Sequence, residues 1–188
     1  MTERFRRLDT SRVVHRSSWL AVREYDIERD GVGDTYSVIE RPDSTTIVPL
    51  TPTNRTILLK QFRFPTNEHS WELPMGAVGV GERAEAAARR ELAEEVGLRG
   101  GDLVRIGEYR AAPGLTPQRV SCFIVRVSEE ALESAATSSR SADDIEEARI
   151  VDLVELTRMV GDGRITDGFT LAGFLLLRCW LDGDGEMI

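Results

Sequence analysis

The stretch GAVGVGERAEAAARRELAEEVGL, residues 76–98, is the part of the sequence from which fold and function can be argued most directly. Residues 83–96 are rich in Ala, Glu, Arg and Leu and contain neither Pro nor Gly, which predicts a helix. Gly97 follows at once and predicts a left-handed cap that ends this helix. The rest of the chain is therefore interpreted around one helix and the loop before it.

Three glutamates, Glu91, Glu94 and Glu95, fall within an arc of about 100° on one side of the predicted helix. Like charges at this spacing repel each other, and a hard divalent cation such as Mg²⁺ or Mn²⁺ would offset the repulsion. Alanines share the same arc, which indicates that this side of the helix faces a packed cleft. The alternative is a solvated helix surface, the usual setting of an isolated run of glutamates.

A loop with three glycines, Gly76, Gly79 and Gly81, leads into the helix. Backbone N–H groups at a helix N-terminus and the helix dipole favour anions, and a glycine loop lets the backbone approach them. Arg90 lies beside the carboxylates and can orient one of them through a charge-assisted hydrogen bond. A loop that can hold phosphate, followed by carboxylates that can hold metal, predicts a diphosphate site.

These residues resemble the Nudix box, and all defined positions of the motif are matched over its 23 residues, 76–98. The resemblance implies an α/β protein, the Nudix-type α/β/α sandwich with a mixed sheet. It also implies hydrolysis of a nucleoside diphosphate linked to another group, with two or three Mg²⁺ or Mn²⁺ ions per active site. The site residues that it implies are the metal ligands Glu91, Glu94 and Glu95, the orienting residue Arg90 and the supporting residue Glu82. Glu94 and Arg90 are also candidate catalytic residues.

Segments before the box resemble the Nudix branch that hydrolyses ADP-ribose. Arg63 ends the segment Gln-Phe-Arg and can hold a substrate phosphate through its planar guanidinium, with a surface ion pair as the alternative. Residues 71–76, Trp-Glu-Leu-Pro-Met-Gly, resemble the lead-in Glu-Leu-Pro-x-Gly of this branch. There the residue before the glycine, here Met75, gives a backbone carbonyl to a metal. Glu72 and Gly76 are candidate substrate contacts.

Pro113 is the fifteenth residue after Leu98, and a proline at that position marks the ADP-ribose pyrophosphatase branch. Its role would be to fix a turn that forms part of the nucleotide pocket. The sequence departs from the branch at Gln118, where many ADP-ribose hydrolases have an acidic residue. A glutamine can neither act as a base nor bind metal as a carboxylate does. The substrate is therefore either ADP-ribose or a related nucleoside diphosphate sugar.

Residues 128–147 are small, polar and acidic, which predicts a long mobile loop. Its end, Asp143-Asp144-Ile145-Glu146-Glu147, resembles the Glu-Asp-Ile-Glu segment of the branch. A loop carboxylate there can bind a further metal or deprotonate the attacking water. Asp144 and Glu146 are the first candidates for this catalytic role, and a solvated acidic loop is the alternative.

Residues 12–29 and 34–41 are predicted strands on either side of a turn, and they form an N-terminal antiparallel segment, residues 1–42, before a Nudix hydrolase domain at 43–188. In the ADP-ribose branch such a segment commonly exchanges between subunits, so the resemblance implies a homodimer. Further strands are predicted at 45–50, 56–64, 103–111, 120–127 and 148–151, and helices at 153–160 and from 166 or 167 onward.

Trp19 and Tyr36 in the N-terminal segment can stack on a nucleobase, and Trp19 is the candidate substrate contact. An ordinary core or interface position is the alternative for both. His15 and His69 are far apart and have no ligand-like companions, so we interpret both as non-catalytic.

The composition is that of a globular protein, with 41% hydrophobic and 30% charged residues. A net charge of −8 argues against a general nucleic-acid binder but not against a phosphate substrate, because bound metals reverse the local sign. Two distant cysteines in apolar contexts, Cys122 and Cys179, predict buried, reduced thiols and a cytoplasmic location. The sequence shows no signal peptide and no membrane-spanning run, so we expect no membrane partner.

Three functions are compatible with these observations. The first is hydrolysis of ADP-ribose or a related nucleoside diphosphate sugar, which gives a nucleoside monophosphate and a sugar phosphate. The second is a Nudix hydrolase of another branch, acting on GDP-mannose, a dinucleotide or coenzyme A. The third is a non-catalytic nucleotide-binding or regulatory module, against which the intact box argues.

Overall fold

In the computed structural model, the acidic stretch forms helix α1, Ala84–Val96, one residue shorter at its start than predicted. Gly97 ends the helix with a φ of 70°, the left-handed conformation that glycine adopts without strain. The buried side of α1 consists of two adjacent alanines and of residues at steps of four after them, namely Ala87, Ala88, Leu92 and Val96. Local propensity and the cap therefore account for both ends of the helix.

The structure describes residues 5–138 and 145–183. Backbone proximity divides the chain into two compact units, one with residues 1–43 and 110–119, the other with residues 44–109 and 120–188. Because the first unit also takes in 110–119, the division into domains at 42 and 43 stays a prediction. No helix within the described residues is long and apolar enough to cross a membrane.

The first unit contains three antiparallel strands in sequence order, β1 Phe5–Arg16, β2 Ala21–Arg29 and β3 Val32–Glu40. The prediction of one strand over 12–29 is wrong, because a turn at 17–20 separates β1 from β2. The hydroxyl of Ser17 accepts hydrogen bonds from the N–H groups of Trp19 and Leu20, both at 3.2 Å. A serine hydroxyl thus makes the turn without glycine or proline.

The second unit contains two further sheets. Its strands are β4 Ser44–Leu50, β5 Arg55–Arg63, β6 Glu68–Glu72, β7 Met75–Ala77, β8 Asp102–Arg110, β9 Arg119–Arg126 and β10 Ile145–Asp152. One sheet has the order β10-β5-β6 and the other has the order β7-β4-β9-β8. Strand β4 runs parallel to β9 and antiparallel to β7, so this second sheet is mixed.

The prediction of a long mobile loop over 128–147 is wrong in its first part and at its last three residues. Helix α2, Glu129–Ser138, lies there, and β10 already begins at Ile145. Arg55 pairs with Glu129 at 3.0 Å and with Glu133 at 3.4 Å, which attaches α2 to the start of β5. These partners are more than 70 residues apart in the chain. The local composition of residues 128–147, which is rich in small and polar residues, therefore does not indicate these ion pairs.

Two more helices follow β10, α3 Leu153–Gly161 and α4 Gly168–Asp182. The carboxylate of Asp152 accepts a hydrogen bond from the N–H of Glu155 at 2.7 Å and so caps α3. Asp167 caps α4 in the same way, by accepting from the N–H of Thr170 at 2.7 Å.

Neighbouring residues of the central strands contribute to two different hydrophobic clusters. Ile47 of β4 packs with residues of α1 and α2, whereas Val48 packs with residues of α3 and α4. Phe123 and Ile124 of β9 divide in the same way. Since side chains of a strand alternate between faces, helices cover both faces of the sheet layer. The predicted α/β/α sandwich with a mixed sheet and an additional antiparallel segment is confirmed.

Candidate active site

Arg90 connects the glycine loop to the acidic side of α1. Its Nε and one terminal nitrogen donate to the two carboxylate oxygens of Glu82 at 3.1 and 3.0 Å. The other terminal nitrogen donates to Glu91 at 2.7 Å and to Glu94 at 3.1 Å. A further bond of 2.9 Å reaches the carbonyl oxygen of Ala77. A single guanidinium therefore orients three carboxylates and one backbone group.

Glu82 stabilises the glycine loop that precedes α1. Its carboxylate accepts a hydrogen bond from the N–H of Gly79 at 2.8 Å, in addition to the pair of bonds from Arg90. The hydrogen bonds from Arg90 and then from Gly79 hold the pKa of Glu82 below its ordinary value. The ionised carboxylate of Glu82 thus joins the glycine loop to helix α1 through these hydrogen bonds.

Gly76 lies against the carboxyl group of Glu91. A Cβ atom at this position would lie 1.9 Å from Cδ of Glu91, far inside any real contact distance. The side chain of Glu91 is only 13% exposed, and this burial raises its pKa above the ordinary value. Any other residue at position 76 would therefore require the carboxyl group of Glu91 to move.

Glu95 connects α1 to the lead-in of the box. One of its carboxylate oxygens accepts a hydrogen bond from the backbone N–H of Met75 at 3.0 Å. Burial, with a smaller contribution from the charge of Glu91, raises the pKa of Glu95 to about 8 against the opposing effect of this amide. A cation would displace the proton, because carboxylates bind metal in their deprotonated form.

The arrangement fits a hard divalent cation that substrate phosphates help to hold. The described residues contain no three His, Cys, Asp or Glu side chains already grouped around one metal position. Glu91 and Glu95 lie near each other, whereas Glu94 is 59% exposed and bonded to Arg90. Mg²⁺ in nucleotide sites is typically held by one or two carboxylates together with phosphates and water.

Arg63 forms an ion pair with a buried glutamate. Its Nε donates to Glu72 at 2.8 Å, and a second bond from a terminal nitrogen makes the pair bidentate. Glu72 is only 2% exposed, and its hydrogen bonds hold the pKa of Arg63 above the ordinary value. The charge of Glu95 also acts on Arg63, which places the pair beside the acidic side of α1. The predicted contacts of Arg63 and Glu72 with substrate stay predictions.

Of the two candidate bases, Asp144 lies outside the described residues, and Glu146 is the second residue of β10. One carboxylate oxygen of Glu146 lies 2.7 Å from Nε2 of His69, and the other lies 3.8 Å from Nζ of Lys60. His69 was predicted to be non-catalytic, and its contact with Glu146 spans 77 residues, so no local pattern indicates it.

Three residues of the sequence-based site belong to the first unit. Trp19 is 81% exposed in the turn between β1 and β2. Pro113 lines a cavity of about 270 Å³ within that unit, together with Tyr25 and Tyr36. Gln118 is buried and donates a hydrogen bond to the carbonyl oxygen of Pro42 at 2.8 Å. The residue that replaces the expected acidic group thus has a structural contact.

Thr170 is a site neighbour that sequence reasoning missed. Its hydroxyl oxygen accepts a hydrogen bond from the backbone N–H of Leu73 at 3.0 Å, within the lead-in to the box. A threonine in an apolar helix carries no pattern that distinguishes it from other core threonines. Only the packing of α4 against the lead-in reveals the contact.

The comparisons with known proteins agree with this site. A family model described as the NUDIX domain matches residues 40–168. The ADP-ribose pyrophosphatase of Mycobacterium tuberculosis is 27% identical over 180 residues, covering 93% of this chain and 84% of that protein. The ADP compounds hydrolase NudE of Escherichia coli is 26% identical over 178 residues, covering 93% and 92%.

A crystal structure of an ADP compounds hydrolase superposes with a TM-score of 0.77 at 25% identity and covers 97% of both chains. The matched family model spans well over half of the chain and includes all of the acidic side of α1. With the box geometry and these similarities taken together, the chain belongs to the Nudix hydrolase family.

Proposed function

We propose that this protein hydrolyses the diphosphate link of ADP-ribose or a related nucleoside diphosphate sugar in a metal-dependent reaction. The products are a nucleoside monophosphate and a sugar phosphate. The observation that carries the proposal is the pair of confined carboxyls, Glu91 behind Gly76 and Glu95 on the Met75 amide. Burying two like charges together costs free energy unless a cation or a proton compensates them.

The relatives support the substrate class. Two proteins that align with nearly the whole chain are named for ADP-ribose or ADP compounds, and so is the superposed structure. Gln118 keeps a related nucleotide sugar open as the preferred substrate, because it offers no carboxylate where many ADP-ribose hydrolases have one.

We assign the metal ligands to Glu91, Glu94 and Glu95, with the backbone carbonyl of Met75 as a further donor. Mg²⁺ or Mn²⁺, two or three ions per site, would neutralise charge on the diphosphate and lower the pKa of a bound water. Arg90 keeps Glu91 and Glu94 oriented for this task through bonds of 2.7 and 3.1 Å. Glu94 is the most exposed of the three and is the freest to change partner when substrate binds.

The general base is assigned to the segment before and at the start of β10. Asp144 and Glu146 are the candidates, and a base must come within hydrogen-bond distance of the attacking water. Glu146 already contacts His69 and Lys60, so its use as a base requires that it exchange these partners for water. The substrate contacts that we propose are Arg63, Glu72, Gly76, Pro113 and Trp19.

A homodimer and a cytoplasmic location complete the proposal. The exposed apolar side chains of β1 support the dimer, since Phe5, Val13 and Val14 are 52%, 39% and 49% exposed. Cys122 and Cys179 are both free thiols, which fits a reducing compartment. Cys122 is buried as predicted, whereas the prediction of burial is wrong for Cys179, which is exposed.

Product analysis on a substrate panel tests the proposal. ADP-ribose, GDP-mannose, a dinucleotide and coenzyme A are each incubated with Mg²⁺ or Mn²⁺, and the products are separated by chromatography. We expect AMP and ribose 5-phosphate from ADP-ribose. Exclusive cleavage of GDP-mannose, a dinucleotide or coenzyme A would assign the chain to another branch of the family. Hydrolysis of none of the panel would favour a binding module.

A further inference from the structure

The chain crosses from one sheet of the second unit to the other within three residues, Leu73, Pro74 and Met75. Strand β6 ends at Glu72 and β7 begins at Met75, and these strands belong to different sheets. Pro74 has no N–H group, so the crossing offers only the two amides of Leu73 and Met75. Both lie in a packed region, where an unpaired amide costs free energy.

The amide of Leu73 is paired with helix α4. It donates to the hydroxyl oxygen of Thr170 at 3.0 Å, and both residues are fully buried. Helix α4 approaches the crossing closely, because a Cβ atom at Gly173 would lie 3.2 Å from Cδ1 of Leu73. No residue with a longer side chain at 173 would allow this contact without displacement.

The amide of Met75 is paired with helix α1, through the carboxylate of Glu95 at 3.0 Å. Between the two amides, the carbonyl oxygen of Pro74 accepts from the N–H of Ile47 at 2.8 Å. One side chain from each of two helices, and one strand between them, therefore fix the crossing in place. Displacement of one amide is transmitted over two residues to the other.

We propose that Thr170 is a positioning residue: by holding the Leu73 amide it fixes the Leu73–Met75 crossing and, through the Met75 amide, the carboxylate of Glu95. Thr170 lies on the opposite side of the crossing from α1 and acts only through the backbone. The metal-binding part of this inference rests on the proposed function, whereas the effect on the Met75 amide does not.

The test compares Thr170→Val with Thr170→Ser. Valine keeps the shape but leaves the Leu73 amide without an acceptor, whereas serine keeps the hydroxyl. In Thr170→Val we expect hydrogen exchange of the Met75 amide to rise about tenfold relative to the amide of Phe123 in β9. The Mg²⁺ concentration that gives half of the metal-induced rise in melting temperature should also rise roughly tenfold. Thr170→Ser should restore both values to within about twofold.

Leu177→Ala is the matched control, because Leu177 is fully buried on the same helix two turns away. It should lower the melting temperature at least as far as Thr170→Val and leave the relative exchange of Met75 and the Mg²⁺ midpoint unchanged. Unchanged Met75 exchange in Thr170→Val, or an equal change in Leu177→Ala, would overturn the inference. If the unmodified protein shows neither a Mg²⁺ effect on the melting temperature nor Mg²⁺-dependent hydrolysis, the proposed function fails, while the exchange comparison still decides the role of Thr170.

Discussion

At the scale of single residues, the site depends on the space and charge that each position allows. Gly76 is the sharpest example, because its missing Cβ leaves the volume that the Glu91 carboxyl occupies. The sequence predicted a glycine loop near phosphate, but not that this glycine makes room for a carboxylate fifteen positions later. Spacing along a chain does not reveal which side chain folds back onto a backbone atom.

Gly76→Ala is therefore expected to displace Glu91 and lower kcat by roughly 10²- to 10³-fold, the effect of losing one electrostatic stabiliser. The measurement is steady-state hydrolysis with Mg²⁺ under saturating substrate. Gly168→Ala is the control, because no atom lies within 4 Å of a Cβ built at Gly168. Near-normal turnover in Gly76→Ala would show that Glu91 does not need its observed position.

At the scale of elements, the hydrogen bonds of Arg90 join the glycine loop to α1. The ends of α1 were predictable because helix propensity and a glycine cap are local properties. The break between β1 and β2 was not predictable, because its turn contains neither glycine nor proline and is stabilised by the hydroxyl of Ser17. The presence of α2 was not predictable either, because α2 is held by a partner more than 70 residues away. Arg55 holds α2 through ion pairs with Glu129 and Glu133.

Arg90→Lys tests the connection between loop and helix. A lysine ammonium has three donors and no planar fork, so it cannot reproduce the five bonds of Arg90 to Glu82, Glu91, Glu94 and Ala77. We expect about a 10- to 100-fold loss of activity or metal affinity. Arg89→Lys is the control, because Arg89 makes one exposed bond to the carbonyl of Gly101. Equal losses in both variants would argue against a specific role for Arg90.

At the scale of the whole molecule, the layer order followed from the family resemblance and is confirmed by alternate residues of β4 and β9 packing on opposite faces. The association of residues 110–119 with the first unit was not predictable. It depends on bonds such as Tyr36 to the carbonyl of Gly114 at 2.7 Å, between positions 78 residues apart. Long-range pairing of this kind leaves no periodic trace in a sequence.

The proposed homodimer is tested by light scattering during size-exclusion chromatography. The unmodified protein should have about twice the chain mass of 21.0 kDa. Joint replacement of Val13 and Val14 by Glu should reduce it to a single chain, because buried charges without partners destabilise an interface. Val154→Glu is the control, since Val154 is exposed on α3. A monomeric unmodified protein would refute the dimer.

The role of Glu95 as a metal-binding carboxylate is tested most directly by the turnover of Glu95→Gln beside that of Glu85→Gln. Both residues lie on α1, but Glu85 is in its first turn and pairs only loosely with Arg83 at 3.5 Å. With Mg²⁺ and the best substrate of the panel, we predict a kcat at least about 10²-fold lower for Glu95→Gln and unchanged for Glu85→Gln. Full Mg²⁺-dependent turnover by Glu95→Gln would contradict the account.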